Sequence, residues 1–192
     1  MTEARHICAS LAEAFAPDPF YRAVTVDVGN DEPARHAMLT EYFRLALDEA
    51  RDVGELRLSG SDGAALWLTN EYSQADVNAA SKRRTLALSN LLGKRGFQNY
   101  EDISAEMLRK LPGSFEGAWY LSILGVRAQA RGRGLAQQLL GPTLERADRL
   151  DARCYLETFN PLSLPFYRRL GFAEEVELWE PVTSQRYWLL SR

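Results

Sequence analysis

Between Ala118 and Leu144 the chain carries three arginines, Arg127, Arg131 and Arg133, and no acidic residue. Within that stretch stands Gln129-Ala130-Arg131-Gly132-Arg133-Gly134-Leu135-Ala136, two glycines one residue apart. Glycines at this spacing let a backbone turn sharply and bring its own amides against a ligand. The first four N–H groups of a helix lack intrahelical partners and sit at the positive end of its dipole, so a glycine turn opening a helix is an anion site that suits a pyrophosphate. Two familiar phosphate loops are excluded. A dinucleotide fingerprint needs a third glycine where Gln137 stands, and a Walker loop needs Gly-Lys-Ser/Thr. The plain alternative is a tight turn that binds nothing.

The elements around the loop must position it. Trp119 to Val126 reads as a buried strand, and Leu135, Leu139, Leu140 and Leu144 line one face of a following helix. Cys154 to Thr158 reads as a second strand, then a helix around Phe166 to Leu170 with Gly171 just past its end. Strands joined through such a crossover are expected to be parallel neighbours. Phe172 to Trp179 and Gln185 to Leu190 form a terminal hairpin. Earlier, Ile7, Leu11 and Phe15 mark a helix with Thr2 as N-cap, ended by Pro17, and Pro33 opens another with Met38, Tyr42 and Leu45 on one face. Glu55 to Ser59 and Ala64 to Thr69 pair as a hairpin. Ser73 and Asp76 resemble a capping box ahead of Val77, Ala80, Leu88 and Leu91, and a short helix carries Ile103, Met107 and Leu111 up to Pro112. The expectation is one mixed α/β domain over residues 1–192.

Composition removes several function classes. The longest apolar run is Ala64 to Leu68, against roughly 20 residues for a membrane span, and no signal-like apolar segment opens the chain, so a cytoplasmic location is expected. Two cysteines and two histidines offer no disulfide framework and no close pair of metal ligands; no metal is expected. A net charge of −3 without a basic stripe argues against nucleic acid. The charge is uneven: residues 1–60 hold six Lys/Arg against eleven Asp/Glu.

The order strand, Gln-x-x-Gly-x-Gly, helix, then Tyr155-Leu-Glu-Thr158, then Phe166-Tyr167-Arg-Arg-Leu-Gly171-Phe172 resembles the GNAT superfamily of acetyl-CoA-dependent N-acetyltransferases. The likeness covers roughly residues 116–172 and looks most like the puromycin N-acetyltransferase branch, with weaker similarity at Ala12 to Pro19 and Ala64 to Thr69. It implies a central mixed twisted sheet of about six strands flanked by helices. Two parallel strands, ending near Val126 and Phe159, would splay to admit the pantetheine arm of acetyl-CoA. It further implies that Leu124, Gly125 and Val126 meet that arm through their backbone, that Gln129, Arg131, Gly132, Arg133, Gly134, Leu135 and Ala136 hold the pyrophosphate, and that Tyr167 is the acid for the departing thiolate. A phenol of pKa about 10 can supply that proton. Where relatives carry an asparagine before the Phe-Tyr pair this chain has Ser163, with Asn160 nearby; both are counted toward the coenzyme, and Ser163 is also a good N-cap. Relatives begin with a strand and this chain begins in a helix, so the first strand is expected to be missing; either a homodimer partner or an omitted upstream segment would cover the edge left at Glu55 to Ser59.

The resemblance implies an enzyme and a small-molecule amine acceptor. The strand Trp119 to Val126 carries no acid, so a base must come from elsewhere; Glu71, Tyr72 and Glu116 are candidates, each also readable as a solvated loop residue. Tyr21, Trp67 and Tyr72 are candidates for the acceptor pocket, while Phe20 and Tyr42 are better read as core. The cluster Lys82, Arg83, Arg84 reads as a solvated helix face, and Cys154 as an inert buried thiol. Without a carboxylate base an ε-amine is hard to deprotonate, which favours an α-amino acceptor with an aromatic portion, such as a toxin or antibiotic-like compound. The rival readings are a catalytically silent acyl-CoA-binding or sensing domain and a protein or peptide N-acetyltransferase.

Overall fold

The computed structural model describes residues 2–192, with side chains from residue 5 onward, so the Thr2 cap lies outside the described side chains. Seven helices of the α type, α1 (Thr2–Phe15), α2 (Pro19–Val24), α3 (Glu32–Val53), α4 (Gln74–Leu91), α5 (Gly93–Lys110), α6 (Leu135–Arg149) and α7 (Leu164–Arg169), surround six strands: β1 (Gly54–Ser59), β2 (Gly63–Leu68), β3 (Trp119–Val126), β4 (Cys154–Thr158), β5 (Glu174–Glu180) and β6 (Gln185–Ser191). They form one sheet in the order β1-β2-β3-β4-β6-β5. Only β3 and β4 are parallel. This is the mixed sheet of the GNAT fold, and among the described residues no strand precedes β1, which forms one edge.

At β2 the sheet is buried on both faces, which is why that strand reads Gly-Ala-Ala-Leu-Trp-Leu without alternation. Ile7 and Leu11 of α1 and Leu39, Phe43 and Leu47 of α3 cover Leu66 and Ile123 on one face. On the other, Leu139, Leu140 and Leu144 of α6 and Phe172 cover Trp67, Trp119, Leu121 and Leu156. Gly125 permits the closeness of α1: a Cβ there would stand 2.3 Å from Leu11 Cδ2 and 2.9 Å from Phe15 Cε2.

Two elements depart from the sequence reading. The short helix expected near Ile103 is an 18-residue helix, α5, beginning at Gly93. Its start is capped from far away: Asp27 Oδ2 accepts the Arg95 and Gly96 amides at 2.9 and 3.2 Å, doing the work that Leu92 at the cap position cannot. Asp27 lies in the turn Val26–Val28, and the buried Arg35 guanidinium of α3 fixes that turn by donating to Thr25 Oγ1 at 2.8 Å and to the Gly29 carbonyl. The second departure is α2, whose six residues are capped by Asp18 and were not separated from the preceding turn.

Helix α5 crosses α2 closely because Gly96 has no side chain; a Cβ there would lie 2.3 Å from the Val24 carbonyl oxygen. In an open helix Gly→Ala gains roughly 1 kcal/mol. Here we expect Gly96→Ala to destabilise by about 1–3 kcal/mol, because backbone must move to make room. Urea unfolding of the variant beside the parent checks the sign.

Candidate active site

The site begins where a ladder stops. β3 and β4 pair only at Trp119 with Cys154, Tyr120 with Tyr155 and Leu121 with Leu156. On the other side of β3 consecutive residues Leu66 and Trp67 of β2 oppose Ile123 and Leu121, leaving Ser122 as the extra residue of a bulge. A bulge bends its strand and increases the local twist. Past it β3 turns away from β4, and from Ser122 to Val126 no residue of β4 pairs with it.

Two cavities lie end to end along this opening. One, of about 300 Å³, is walled by Ser122 to Leu124 of β3, Glu157 to Phe159, Tyr167, the aromatic rings of Phe15, Phe20, Tyr21, Tyr42 and Tyr100, and the last turns of α5. The second, of about 290 Å³, is walled by Val126, Ala130, Arg131, Gly132, Gly134, Leu135, Ala136, Gln137, Phe166 and Arg169. Leu124 and Tyr167 face the first, Val126 and Phe166 the second.

The second cavity is built from the glycine loop. Gly132 and Gly134 hold φ of 75° and 76°, which glycine adopts without strain, and a Cβ on either would meet open space. Gly134 occupies the N-cap of α6 and brings no capping side chain. The first helical bond runs from Gln138 N–H to the Gly134 carbonyl, so the amides of Leu135, Ala136 and Gln137 lack intrahelical partners. Arg131 donates to the Val126 carbonyl at 3.1 Å, which ties the loop to the end of β3. The donor set, free amides with Arg131 and Arg169, fits a pyrophosphate. Arg169 and Gln137 were missed; Arg169 stood inside the Phe-Tyr-Arg-Arg motif, whose helical spacing turns it toward the loop.

The first cavity holds two carboxylates that sequence reasoning did not single out. Glu157 follows directly on the last paired residue of β4, and Tyr120 Oη donates to its Oε2 at 3.0 Å. Burial pushes its pKa up to about 7, the Tyr120 hydrogen bond pulling the other way. Asp18 caps α2 by accepting the Phe20 amide at 2.9 Å, and burial raises it to about 6 against the pull of the Phe20 and Tyr21 amides. Tyr167 packs edge-on against Phe166 and Phe172 while opening onto the cavity, and burial raises its pKa, so its hydroxyl stays protonated.

Other candidates are placed differently. Tyr21 lines the cavity. Trp67 does not: it is fully buried among the core residues under α6 because β2 turns it to that face. Tyr72 sits outside on the turn after β2, its hydroxyl donating to the Gly54 carbonyl at 3.1 Å. Glu71 pairs with Arg146 at 3.0 Å and Glu116 is exposed, so neither reaches the site. Phe20 and Tyr42, read as core, wall the cavity as well. Arg84 is not a solvated cation but is sunk in the wall, bonded to Glu49 at 2.8 Å and to Tyr42 Oη at 3.1 Å. Gly125, Gln129, Arg133, Asn160 and Ser163 line neither cavity. Gly125 serves the approach of α1, Asn160 caps the turn Pro161–Ser163, and Ser163 makes no cap bond but donates to the Asn160 carbonyl at 2.7 Å.

Residues 85–172, which include β3, the glycine loop, α6, β4 and α7, match the acetyltransferase (GNAT) family. Among solved structures the chain is similar over its full length to a Corynebacterium glutamicum protein named histone acetyltransferase HPA2 and related acetyltransferase, with 25% identity, 91% of that chain covered and a TM-score of 0.67. It shares its fold with arylalkylamine N-acetyltransferase 2 from Aedes aegypti, at 17% identity over 100% of this chain and 94% of that one, TM-score 0.62. An agmatine N-acetyltransferase shares it at 14% identity over 100% and 94%, TM-score 0.59. The family match spans the glycine loop and both arms of the fork, and the fold is shared from end to end with these three structures.

Proposed function

We propose that the protein is an acetyl-CoA-dependent N-acetyltransferase that passes the acetyl group by direct attack to the amine of a small molecule. The observation that carries this reading is Glu157, a half-buried carboxylate at the vertex of the β3–β4 fork, in the cavity that adjoins the glycine loop. A cavity of about 300 Å³ is at the small end of small-molecule sites and supports a compact amine over a protein segment. A silent acyl-CoA-binding domain would need the loop but neither this carboxylate nor the Tyr167 phenol. We keep the chain beside the puromycin N-acetyltransferase branch on its motif stretches.

When bound, acetyl-CoA supplies a thioester carbonyl as the electrophile. The loop amides, with Arg131 and Arg169, hold its phosphates, and the unpaired backbone of β3 holds the arm. An alkylammonium of pKa about 10.4 costs about 4.6 kcal/mol to deprotonate at pH 7, so the site must take a proton before attack. Glu157 takes it, with Tyr120 fixing the carboxylate; at a pKa of about 7 it is a stronger base than an ordinary carboxylate. A backbone N–H near Val126 holds the developing oxyanion, a donor of a type typically worth about 2.7–4 kcal/mol. As the C–S bond breaks, Tyr167 gives its proton to the leaving sulfur, and the second proton that nitrogen sheds on forming the amide replaces it on the phenol. Preference for an α-amine rested on the lack of a nearby carboxylate; with Glu157 in the cavity that argument lapses, and toxin or antibiotic-like acceptors become one part of a wider range of small amines.

The test of the whole reading is coenzyme A release from acetyl-CoA over a panel of small amines; no release with any of them overturns it. Three expected outcomes follow from its parts. Acetyl-CoA at about 100 times its Kd should stabilise the protein by about 2.7 kcal/mol, read as a rise in Tm, and Gly134→Glu should abolish that rise by filling the phosphate space. Turnover should climb as pH passes through about 7, as Glu157 ionises. Stability should do the opposite: a carboxyl whose folded pKa is raised favours the native state while protonated and loses that contribution as pH rises from about 4.5 to about 7. Glu157→Gln should therefore remove the pH limb, lower kcat about 10²- to 10⁴-fold, and flatten stability over the same window. Tyr167→Phe should lower kcat and leave acetyl-CoA affinity unchanged, checked by steady-state rates beside calorimetry.

A further inference from the structure

The cavity contains one carboxylate more than acetyl transfer needs. Glu157 alone suffices to discharge the attacking amine, yet Asp18 opens onto the same space from the junction of α1 and α2. Its charge is held by hydrogen bonds from the backbone of α2, through the Phe20 amide at 2.9 Å, and among the described residues no cationic side chain lies against it. The nearby cation, Arg84, is already matched by Glu49 at 2.8 Å and by the Tyr42 hydroxyl. Asp18 is half-buried, and a carboxylate partly withdrawn from water without a counter-charge is costly; such groups in clefts are found where a ligand completes them. The surroundings agree: the rings of Phe15, Phe20 and Tyr21 stand at this end of the cavity, with Phe15 and Tyr21 centroids 5.1 Å apart, and aromatic faces attract cations.

We infer that Asp18 is a specificity-determining residue that anchors a second basic nitrogen of the acceptor, so that the preferred substrates are dibasic amines acetylated at the nitrogen nearer Glu157. This rests on the N-acetyltransferase reading above. The second nitrogen stays charged throughout; only the first loses its proton and gains the acetyl group. The acidic balance of residues 1–60, from which this end of the cavity is built, draws such dications in.

The test compares 1,5-diaminopentane with 1-aminopentane, by coenzyme A release and by calorimetric binding of each amine to the free protein, in the parent and in Asp18→Asn. Asparagine keeps an oxygen for the Phe20 amide and is as good an N-cap as aspartate, so α2 is retained. The parent should favour the diamine by about tenfold or more in kcat/KM, as expected for a hydrogen-bonded charge pair. Asp18→Asn should erase that preference through KM, and weaken diamine binding to the free protein by a similar factor. A parent that treats both amines alike overturns the inference. So does a variant whose kcat falls equally for both, which would make Asp18 a proton acceptor. Both of these results leave the transferase reading standing, whereas no turnover with any amine overturns the two together.

Discussion

Three residue pairs hold β3 to β4, and everything the site does follows from there being no fourth. Backbone amides and carbonyls inside a protein must be paired or they cost free energy, so a ladder that ends in the middle of a sheet needs a cause and a compensation. The cause is the bulge at Ser122, which swings the rest of β3 away from β4. On the function proposed above, the compensation is the amide-bearing arm of acetyl-CoA, the kind of molecule that can complete an interrupted ladder. The same event sets the chemistry of Glu157. As the residue after the last paired one, it emerges at the vertex of the fork, where α5 and the aromatic rings exclude water from it.

The remaining structure holds the two sides of this opening at the right separation. On one side Gly125 lets α1 lie close on β3. On the other, the route is longer: Arg35 of α3 fixes the turn Val26–Val28, that turn presents Asp27, Asp27 caps α5, and α5 closes the cavity with its last turns. A buried guanidinium about 70 residues earlier in the chain than the wall it supports is a positioning device, and its hydrogen-bond partners are the Thr25 hydroxyl and the Thr25 and Gly29 carbonyls, which only the folded turn brings together.

What could be read from the sequence was what local chemistry dictates. The bounds of β3 and β4 agree with expectation because each is rich in apolar and β-favouring residues, and the glycine loop was legible because φ near +75° at Gly132 and Gly134 leaves almost no other residue type. The start of α5 was not legible for the opposite reason. Glycines at 93 and 96 carry no helical signal of their own, and the start is capped by an Asp27 side chain from far upstream. Glu157 was visible in Tyr-Leu-Glu-Thr, but nothing in the sequence says that α5 will bury it; its altered acidity belongs to tertiary structure. Trp67 failed likewise: in a strand covered on both faces the pattern does not tell which face a tryptophan takes, and β2 gives it to α6.

The first cavity draws its walls from two separate regions of the chain. The rings, Asp18 and the closing turns of α5 come from residues before Pro112, while the fork, the glycine loop and Tyr167 come from residues after Ala118. On the function proposed above, recognition of the acceptor and activation of the donor are thereby written in different halves of one gene. Substitutions along Phe15 to Tyr21 or Tyr100 to Leu111 would then exchange one amine for another while the residues around the glycine loop stay untouched, and divergence in the amine would leave its record in the earlier half.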